Sequence, residues 1–310
     1  MLGVCGVGMA GVAYLLARRG WRVDGCDAHA GALAGWLRGA GVAVFEGHGA
    51  SHLEKEGAPG GRVIVTPAVS DGEPELAEAR ARGVPVYRRG EVLAALVAES
   101  RCVAVCGAHG KTTTSCFAAR LLQELGADPS WCIGGATRAL GGVAGVGAGG
   151  LLVVEADESD GTLALYRPAV TVLTNIDLDH LEHFDWEEAL AACFRRAVEQ
   201  TREGVAVCGD NARALAVARA ARVPLLTFGF GEESRLRAVG VCVGPASVAF
   251  DVSFDGAPAG RVELAVSGRH NVLNALGAAA AALLLGYPLA RVAGALPAAC
   301  GELPGRRFER

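Results

Sequence analysis

The sequence predicts an α/β fold in two consecutive units, each built on a mostly parallel sheet, with a small antiparallel meander late in the chain. Three observations carry this reading. Short, wholly apolar runs at 102–106, 151–154 and 170–173 have the continuous hydrophobicity of strands buried on both faces. Two glycine turns, 6–11 and 107–110, each lead from such a run into a helical stretch. Residues 239–266 alternate instead, with turn signals at Gly244-Pro245 and Asp255-Gly256. A chain of 310 residues can bury two separate cores. The spacing assigns 1–98 to the first domain and 99–300 to the second, with 301–310 reading as the approach to a further segment.

Composition narrows the function classes. The balance of 29 basic against 33 acidic residues, a formal charge of −4, leaves no basic excess for nucleic acid. No charged n-region and apolar h-region precede the first glycine turn, and the longest apolar run, 278–285, is too short to span a bilayer. Ten cysteines without a C-x-x-C pair, several of them in strand-like runs (Cys102, Cys106, Cys208, Cys242), read as buried free thiols of a cytoplasmic protein. Oligomeric state is not legible.

In the first unit a short strand (2–5) leads into Gly6-Val7-Gly8-Met9-Ala10-Gly11, a formal G-x-G-x-x-G, and a helix follows to residue 19. A second strand (21–26) ends at Asp27. Such glycines let a diphosphate sit on the helix N-terminus, and a carboxylate after the second strand takes ribose hydroxyls. The motif alone is shared by NAD, FAD and sugar-nucleotide sites. The brevity of the first strand suggests a clipped start. Helices at 31–40, 74–82 and 90–100 alternate with strands at 42–45, 62–66 and 84–87, and Gly47-His48 closes one of these strands.

The second unit holds most of the chemistry. Strand 102–106 turns through Gly107, Ala108, His109 and Gly110 into Lys111-Thr112-Thr113-Thr114 and a helix. Strand, glycine turn, Lys-Thr, helix is a phosphate cradle, here two residues shorter than the common P-loop spacing. Only Lys55 and Lys111 are lysines among the 29 basic residues. A compact ammonium at this turn suits phosphate in a way arginine does not. Residues 141–150 read as a mobile glycine-rich loop. Strand 151–154 ends in Glu155-Ala156-Asp157-Glu158-Ser159-Asp160, and strand 170–173 ends in Thr174-Asn175-Ile176-Asp177-Leu178-Asp179-His180. Crowded carboxylates of this kind repel one another without a cation, and Mg²⁺ held by one or two of them plus phosphate oxygens resolves the conflict. His180 and His183 lack the further ligands of a zinc site. Asn271 and Asn274, at the start of the helix 272–285, either cap it or offer an amide to a base.

Together these motifs resemble the Mur ligases. The resemblance rests on residues 3–11, with Cys5 in place of a glycine and Ala10 in place of a serine, and on Gly107 to Thr114, with Ala108 in place of a threonine. It also rests on 155–162, on 174–180 and on Gly268-Arg269-His270-Asn271-Val272-Leu273-Asn274. It implies a Rossmann-like domain for the UDP-sugar, a central P-loop ATPase-type domain, and a C-terminal domain of which this chain holds only the entry. The glycine loop (Gly6, Gly8, Met9, Gly11) would hold the diphosphate, with Asp27 and His48 near the uridine. Lys111 would hold the β- and γ-phosphates. Thr112, Glu155 and His180 would take Mg²⁺, while Asn271 would face the adenine and Arg306 or Arg307 the phosphates. No lysine follows Lys111, so the carbamylated lysine of some relatives is excluded.

The implied reaction is ATP-dependent amide formation in peptidoglycan precursor synthesis. ATP phosphorylates the lactyl carboxylate of UDP-N-acetylmuramate, and an amine attacks the acyl phosphate. The Glu-Ser-Asp-Gly stretch favours L-alanine as that amine. Rival readings are a ligase recycling a muramyl tripeptide or adding a later amino acid, an NAD-dependent oxidoreductase built on Gly6 to Gly11 and Asp27, and a non-catalytic nucleotide-binding remnant.

Overall fold

A computed structural model describes residues 1–54, 61–135, 138–159, 161–177 and 184–305. The first part runs α1 (Val7–Arg18), β1 (Asp24–Asp27), α2 (Ala32–Gly39), β2 (Ala43–Glu46), α3 (Ser51–Glu54), β3 (Val63–Val65), α4 (Pro74–Ala81), β4 (Val86–Arg88) and α5 (Arg89–Ala98). Strand β1 pairs with β2, and β3 with β4, all parallel. Leu2 bridges Cys26 on one side and Val65 on the other, so it joins the two pairs. The strand expected at 2–5 is therefore this single bridging residue. Gly3 takes a φ of +75° and turns the chain away, and a Cβ there would meet Thr66 Cγ2 at 2.6 Å. The second strand starts at Asp24, not at Trp21, whose ring is exposed.

The rest forms one ten-stranded sheet. Its strands are β5 (Arg101–Cys106), β6 (Ser130–Cys132), β7 (Ala144–Gly145), β8 (Leu151–Glu155), β9 (Val170–Leu173), β10 (Gly204–Cys208), β11 (Leu225–Gly229), β12 (Leu236–Val243), β13 (Val248–Phe254) and β14 (Ala257–Leu264). Their order is β14-β13-β12-β11-β10-β9-β5-β8-β6-β7. Strands β6, β8, β5, β9, β10, β11 and β12 are parallel neighbours, while β12, β13 and β14 form the expected antiparallel meander. The helices are α6 (Lys111–Glu124), α7 (Phe184–Glu199), α8 (Ala212–Ala218), α9 (Arg269–Leu284) and α10 (Leu289–Ala299).

Both faces of β5 are covered, which is why its sequence is apolar throughout. Val103 and Val105 face a core shared with α6, α9 and α10. Cys102, Ala104 and Cys106 face the opposite core, built with α7 and α8 and with α1 and α5 of the first part. Small residues let α9 lie close on the sheet: a Cβ at Gly277 would stand 3.2–3.4 Å from Phe228, Thr114 and Val172. Helix α1 approaches the far edge in the same way, with Gly11 against Cys132 Sγ at 2.6 Å from an added Cβ.

Three expectations need correction. Residues 141–150 are not a loose loop: β7 pairs antiparallel with β6, and Val143 and Ala144 are buried. Their glycines answer close approach, since a Cβ on Gly145 would strike the Trp131 ring at 2.2 Å and one on Gly149 the Ala127 carbonyl at 1.6 Å. Asn271 and Asn274 do not cap α9. Gly268 holds that position and both amides lie buried inside the helix. All ten cysteines are free thiols as expected, but Cys242 is exposed. Among the described residues no helix is long and apolar enough to cross a membrane.

Candidate active site

Strands β8, β5 and β9 are adjacent, so Glu155, the phosphate loop and Thr174-Asn175 emerge side by side at their carboxyl ends, where open parallel sheets collect ligands. Gly107 takes φ +129° and Gly110 φ +83°, and side chains there would collide with Thr174 and Asn274 respectively. Asn175 clamps the turn. Its Oδ1 accepts from His109 N–H at 2.8 Å, its Nδ2 donates to His109 O at 2.8 Å, and its carbonyl accepts from Ala108 N–H at 3.0 Å. Thr174 Oγ1 donates to His109 O at 2.7 Å. The first N–H groups of α6, those of Lys111 to Thr113, have no acceptor within the helix, and these three residues line the cleft.

Lys111 Nζ donates to Gly107 O at 2.7 Å and to Glu158 Oε1 at 2.8 Å. Lys111 and Glu158 are only 17% and 16% exposed, so the pair is shielded from solvent. Burial pushes the Glu158 carboxyl up despite Lys111's opposing pull, and Glu158 Oε2 is buried without a partner. Thr112 Oγ1 donates to Glu155 Oε1 at 2.8 Å, and Glu155 Oε2 accepts from Gly134 N–H at 2.6 Å. Burial opposes ionisation of Asp157, but the Ser159 N–H and hydroxyl, with Arg89 and Lys111, outweigh it and hold the carboxyl below its ordinary range.

These groups share a cavity of about 820 Å³ with the N-terminal glycine loop: Gly6, Gly8 and Met9 line it together with Arg89, Lys111, Thr112 and Glu155. A second cavity, of about 430 Å³, lies on the other side of the α6 N-terminus, against His109, Gly110 and Asn271, and Thr113 lines both. The Asn271 amide donates to Ser267 O at 2.7 Å, and Thr114 and Asn274 complete a buried network behind it.

Not every expected residue reaches a cavity wall. Gly11 is buried against Cys132, where its lack of a side chain serves helix–sheet packing. Asp27 stands behind the loop, accepting from Cys5 N–H at 2.8 Å and His29 N–H at 3.2 Å. His48 Nδ1 lies 3.1 Å from Cys26 Sγ. His180, His183, Arg306 and Arg307 lie outside the described residues. Arg89, which sequence reasoning missed, donates to Asp157 Oδ2 at 3.1 Å and packs against Gly8, where an added Cβ would meet its Nη1 at 2.8 Å. One arginine of a chain rich in them gives no local signal. The role of Gly134 was hidden likewise, because a backbone donor has no sequence signature.

A family model described as the Mur ligase family catalytic domain matches residues 1–101, and one described as the Mur ligase middle domain matches 105–282. The chain belongs to the Mur ligase family. It is 40% identical over 312 residues to a UDP-N-acetylmuramate–L-alanine ligase of Solidesulfovibrio magneticus, covering all of this chain and 67% of that one. The chain thus spans about two thirds of the length of the curated relatives it matches. Among solved structures of the family, the UDP-N-acetylmuramate–alanine ligase of Thermotoga maritima superposes with a TM-score of 0.85 at 29% identity, covering 99% of this chain and 69% of that one. The UDP-N-acetylmuramate:L-alanyl-γ-D-glutamyl-meso-diaminopimelate ligase of Neisseria meningitides gives a TM-score of 0.85 at 27% identity, covering 96% of each.

Proposed function

We propose that the chain carries the nucleotide and UDP-sugar sites of an ATP-dependent ligase that joins L-alanine to UDP-N-acetylmuramate in peptidoglycan precursor synthesis. One observation carries this reading: a single cavity is lined by the N-terminal glycine loop and by Lys111 to Thr113 at the start of α6, so a UDP-sugar and the phosphates of ATP bound there would face each other across it. The 40% identity to an L-alanine ligase over the whole chain favours that amine. Nucleotide substrates fit the cytoplasm.

A carboxylate does not acylate an amine in water without activation. A lactyl carboxylate oxygen attacks the γ-phosphorus of ATP, the bond to ADP breaks, and an acyl phosphate forms. Lys111 leaves Glu158 and Gly107 O for the β- and γ-phosphate oxygens, neutralising charge as it spreads. The α6 N–H groups hold the same oxygens, and Arg89 takes the anionic substrate beside Gly8. The neutral amine of L-alanine then attacks the acyl carbon, loses a proton, and expels phosphate. Thr112 Oγ1 and Glu155 Oε1, hard oxygens 2.8 Å apart at the cleft, fit Mg²⁺, with His180 proposed as a further ligand. The ion supplies Lewis-acid charge neutralisation when bound. His109 and Asn271 face the nucleoside side, and Asp27 and His48 support the uridine end from behind the loop.

A phosphate-release assay tests this. Release should require both UDP-N-acetylmuramate and L-alanine, with glycine, serine and L-alanyl-γ-D-glutamyl-diaminopimelate as poor replacements. Faster release with the tripeptide would move the assignment to the tripeptide ligase, whose fold matches equally well. Calorimetry that detects no UDP-N-acetylmuramate binding would sink both.

A further inference from the structure

Behind the N-terminal loop lies a group of side chains that the proposed reaction does not use. Cys26 on β1, His52 on α3 and Glu75 on α4 bring a thiol, an imidazole and a carboxylate to one point. Cys26 Sγ stands 3.1 Å from Glu75 Oε2, and His52 Nδ1 stands 3.4 Å from the same oxygen. His48 Nδ1 approaches Cys26 Sγ to 3.1 Å, and Gly49 N–H donates to Glu75 Oε2 at 3.3 Å. Cys26 and Glu75 are 1% and 4% exposed, a degree of burial that is rare for a carboxylate. Among the described residues this is the one such group of metal-ligating side chains.

We propose that Cys26, His52 and Glu75 form a binding site for a borderline-soft divalent cation of the zinc class, with the fourth position left to solvent. Tetrahedral zinc with ordinary sulfur, nitrogen and oxygen bond lengths sets its ligand atoms about 3.4 to 3.6 Å apart. The separations of 3.1 and 3.4 Å need only a few tenths of an ångström of expansion. A cavity of about 50 Å³ opens beside His52 and Glu75, giving the space. The His52 ring is fixed by stacking on Phe45, with centroids 5.0 Å apart, so its donor atom is already oriented. Of the cations near this cavity, the Met1 amine donates to Asp24 O at 2.8 Å and also faces Cys26 and Glu75, where burial pushes its pKa down, while the Arg62 guanidinium lies over the Trp21 ring. Thiolate and imidazole donors select zinc over magnesium. Binding displaces the Cys26 thiol proton to solvent and ties three separate segments together directly behind Asp27, which anchors the glycine loop.

The test is metal titration of the chelator-treated chain under a phosphine reductant. Zn²⁺ should bind one per chain and Mg²⁺ should not displace it. Co²⁺ should give tetrahedral d–d bands and a thiolate-to-cobalt charge-transfer band. Cys26→Ser should abolish that band and Cys242→Ser, at an exposed thiol, should keep it. His52→Gln should weaken Zn²⁺ by more than the roughly 10- to 100-fold that loss of an outer-shell partner costs. Substoichiometric zinc, a cobalt spectrum without a thiolate band, or unchanged affinity in a folded Cys26→Ser variant would overturn the proposal. None of these readouts depends on ligase activity.

Discussion

Loop 107–110 is fastened on two sides by neutral groups, whereas loop 3–6 hangs from one carboxylate. Asn175 and Thr174 supply the first with four hydrogen bonds, and β5 beneath it is paired on both edges. In the second, Cys5 N–H donates to Asp27, Gly3 N–H and Val4 N–H donate to Cys26 O, and only Leu2 ties the turn into a sheet. The cations differ as well. Lys111 belongs to its own loop, while the cation beside Gly8 is Arg89, delivered by α5 from 78 residues on (89 minus 11) relative to Gly11. The same strand–glycine–helix motif therefore makes a rigid, self-contained phosphate site in one place and an open, borrowed one in the other. Rigid positioning suits the phosphoryl group that must be transferred, and an adaptable turn suffices for a diphosphate that is only held.

The largest way to break this comparison is Lys111→Ala. It should lower kcat for phosphate release by at least about 10²-fold, the scale of one lost electrostatic donor. Calorimetric affinity for UDP-N-acetylmuramate should stay as it was, and a parallel loss there would show that the loops do not work separately. Next comes Asn175→Ala. It removes two hydrogen bonds to the exposed His109 backbone, at a net cost of about 0.5–1.5 kcal/mol each. Steady-state kinetics should show this as a raised KM for ATP, roughly tenfold for each 1.4 kcal/mol.

Asp27→Asn replaces a charge-assisted bond to Cys5 N–H with a neutral one, a difference of about 1 kcal/mol. UDP-N-acetylmuramate should bind several-fold more weakly by calorimetry while ATP is unaffected. The smallest effect belongs to the opposite end of β5, where Arg101 grips both oxygens of Glu203 at 2.7–3.1 Å. Both side chains are more than a third exposed, so Glu203→Gln should cost at most about 1 kcal/mol. The hydrogen bond from Arg101 holds the Glu203 carboxyl below its ordinary range. That contribution is present at neutral pH and disappears as pH falls through the lowered value. Urea midpoints of the two proteins should therefore differ at neutrality and converge in acid. A difference persisting in acid would mean the pair acts through packing.

Much of the candidate site was legible because its signals are local. Gly107, Gly110, Lys111 and Thr112 lie within six residues, and their turn conformation and chemistry follow from residue type alone. The strand ends at Glu155 and Thr174-Asn175 could be ranked because wholly apolar runs mark buried parallel strands. Errors arose where close approach between distant segments decides the structure. Residues 141–150 look flexible by composition, yet their glycines are there to let Trp131, Ala127 and Asp128 come near. Gly11 completes a phosphate motif on paper and in space packs on Cys132. Asn271 stands where a cap would stand if α9 began three residues later than it does, and Asn274 one turn further in.

By itself, then, the sequence determined the α/β class, the antiparallel meander, the phosphate loop and the family, since each depends on periodicity or on residues close together in the chain. Only the tertiary structure decided that α1 and α5 share a core with the far face of β5, and so that the N-terminal glycine loop and the Lys111–Thr113 start of α6, about a hundred residues apart, open into one cleft. It also decided which polar side chains meet, in the cleft and behind the loop. Lys111 with Glu158, Arg89 with Asp157, and Cys26 with His52 and Glu75 are pairings across 47, 68 and 49 positions at their longest reach, set by packing rather than by any local rule.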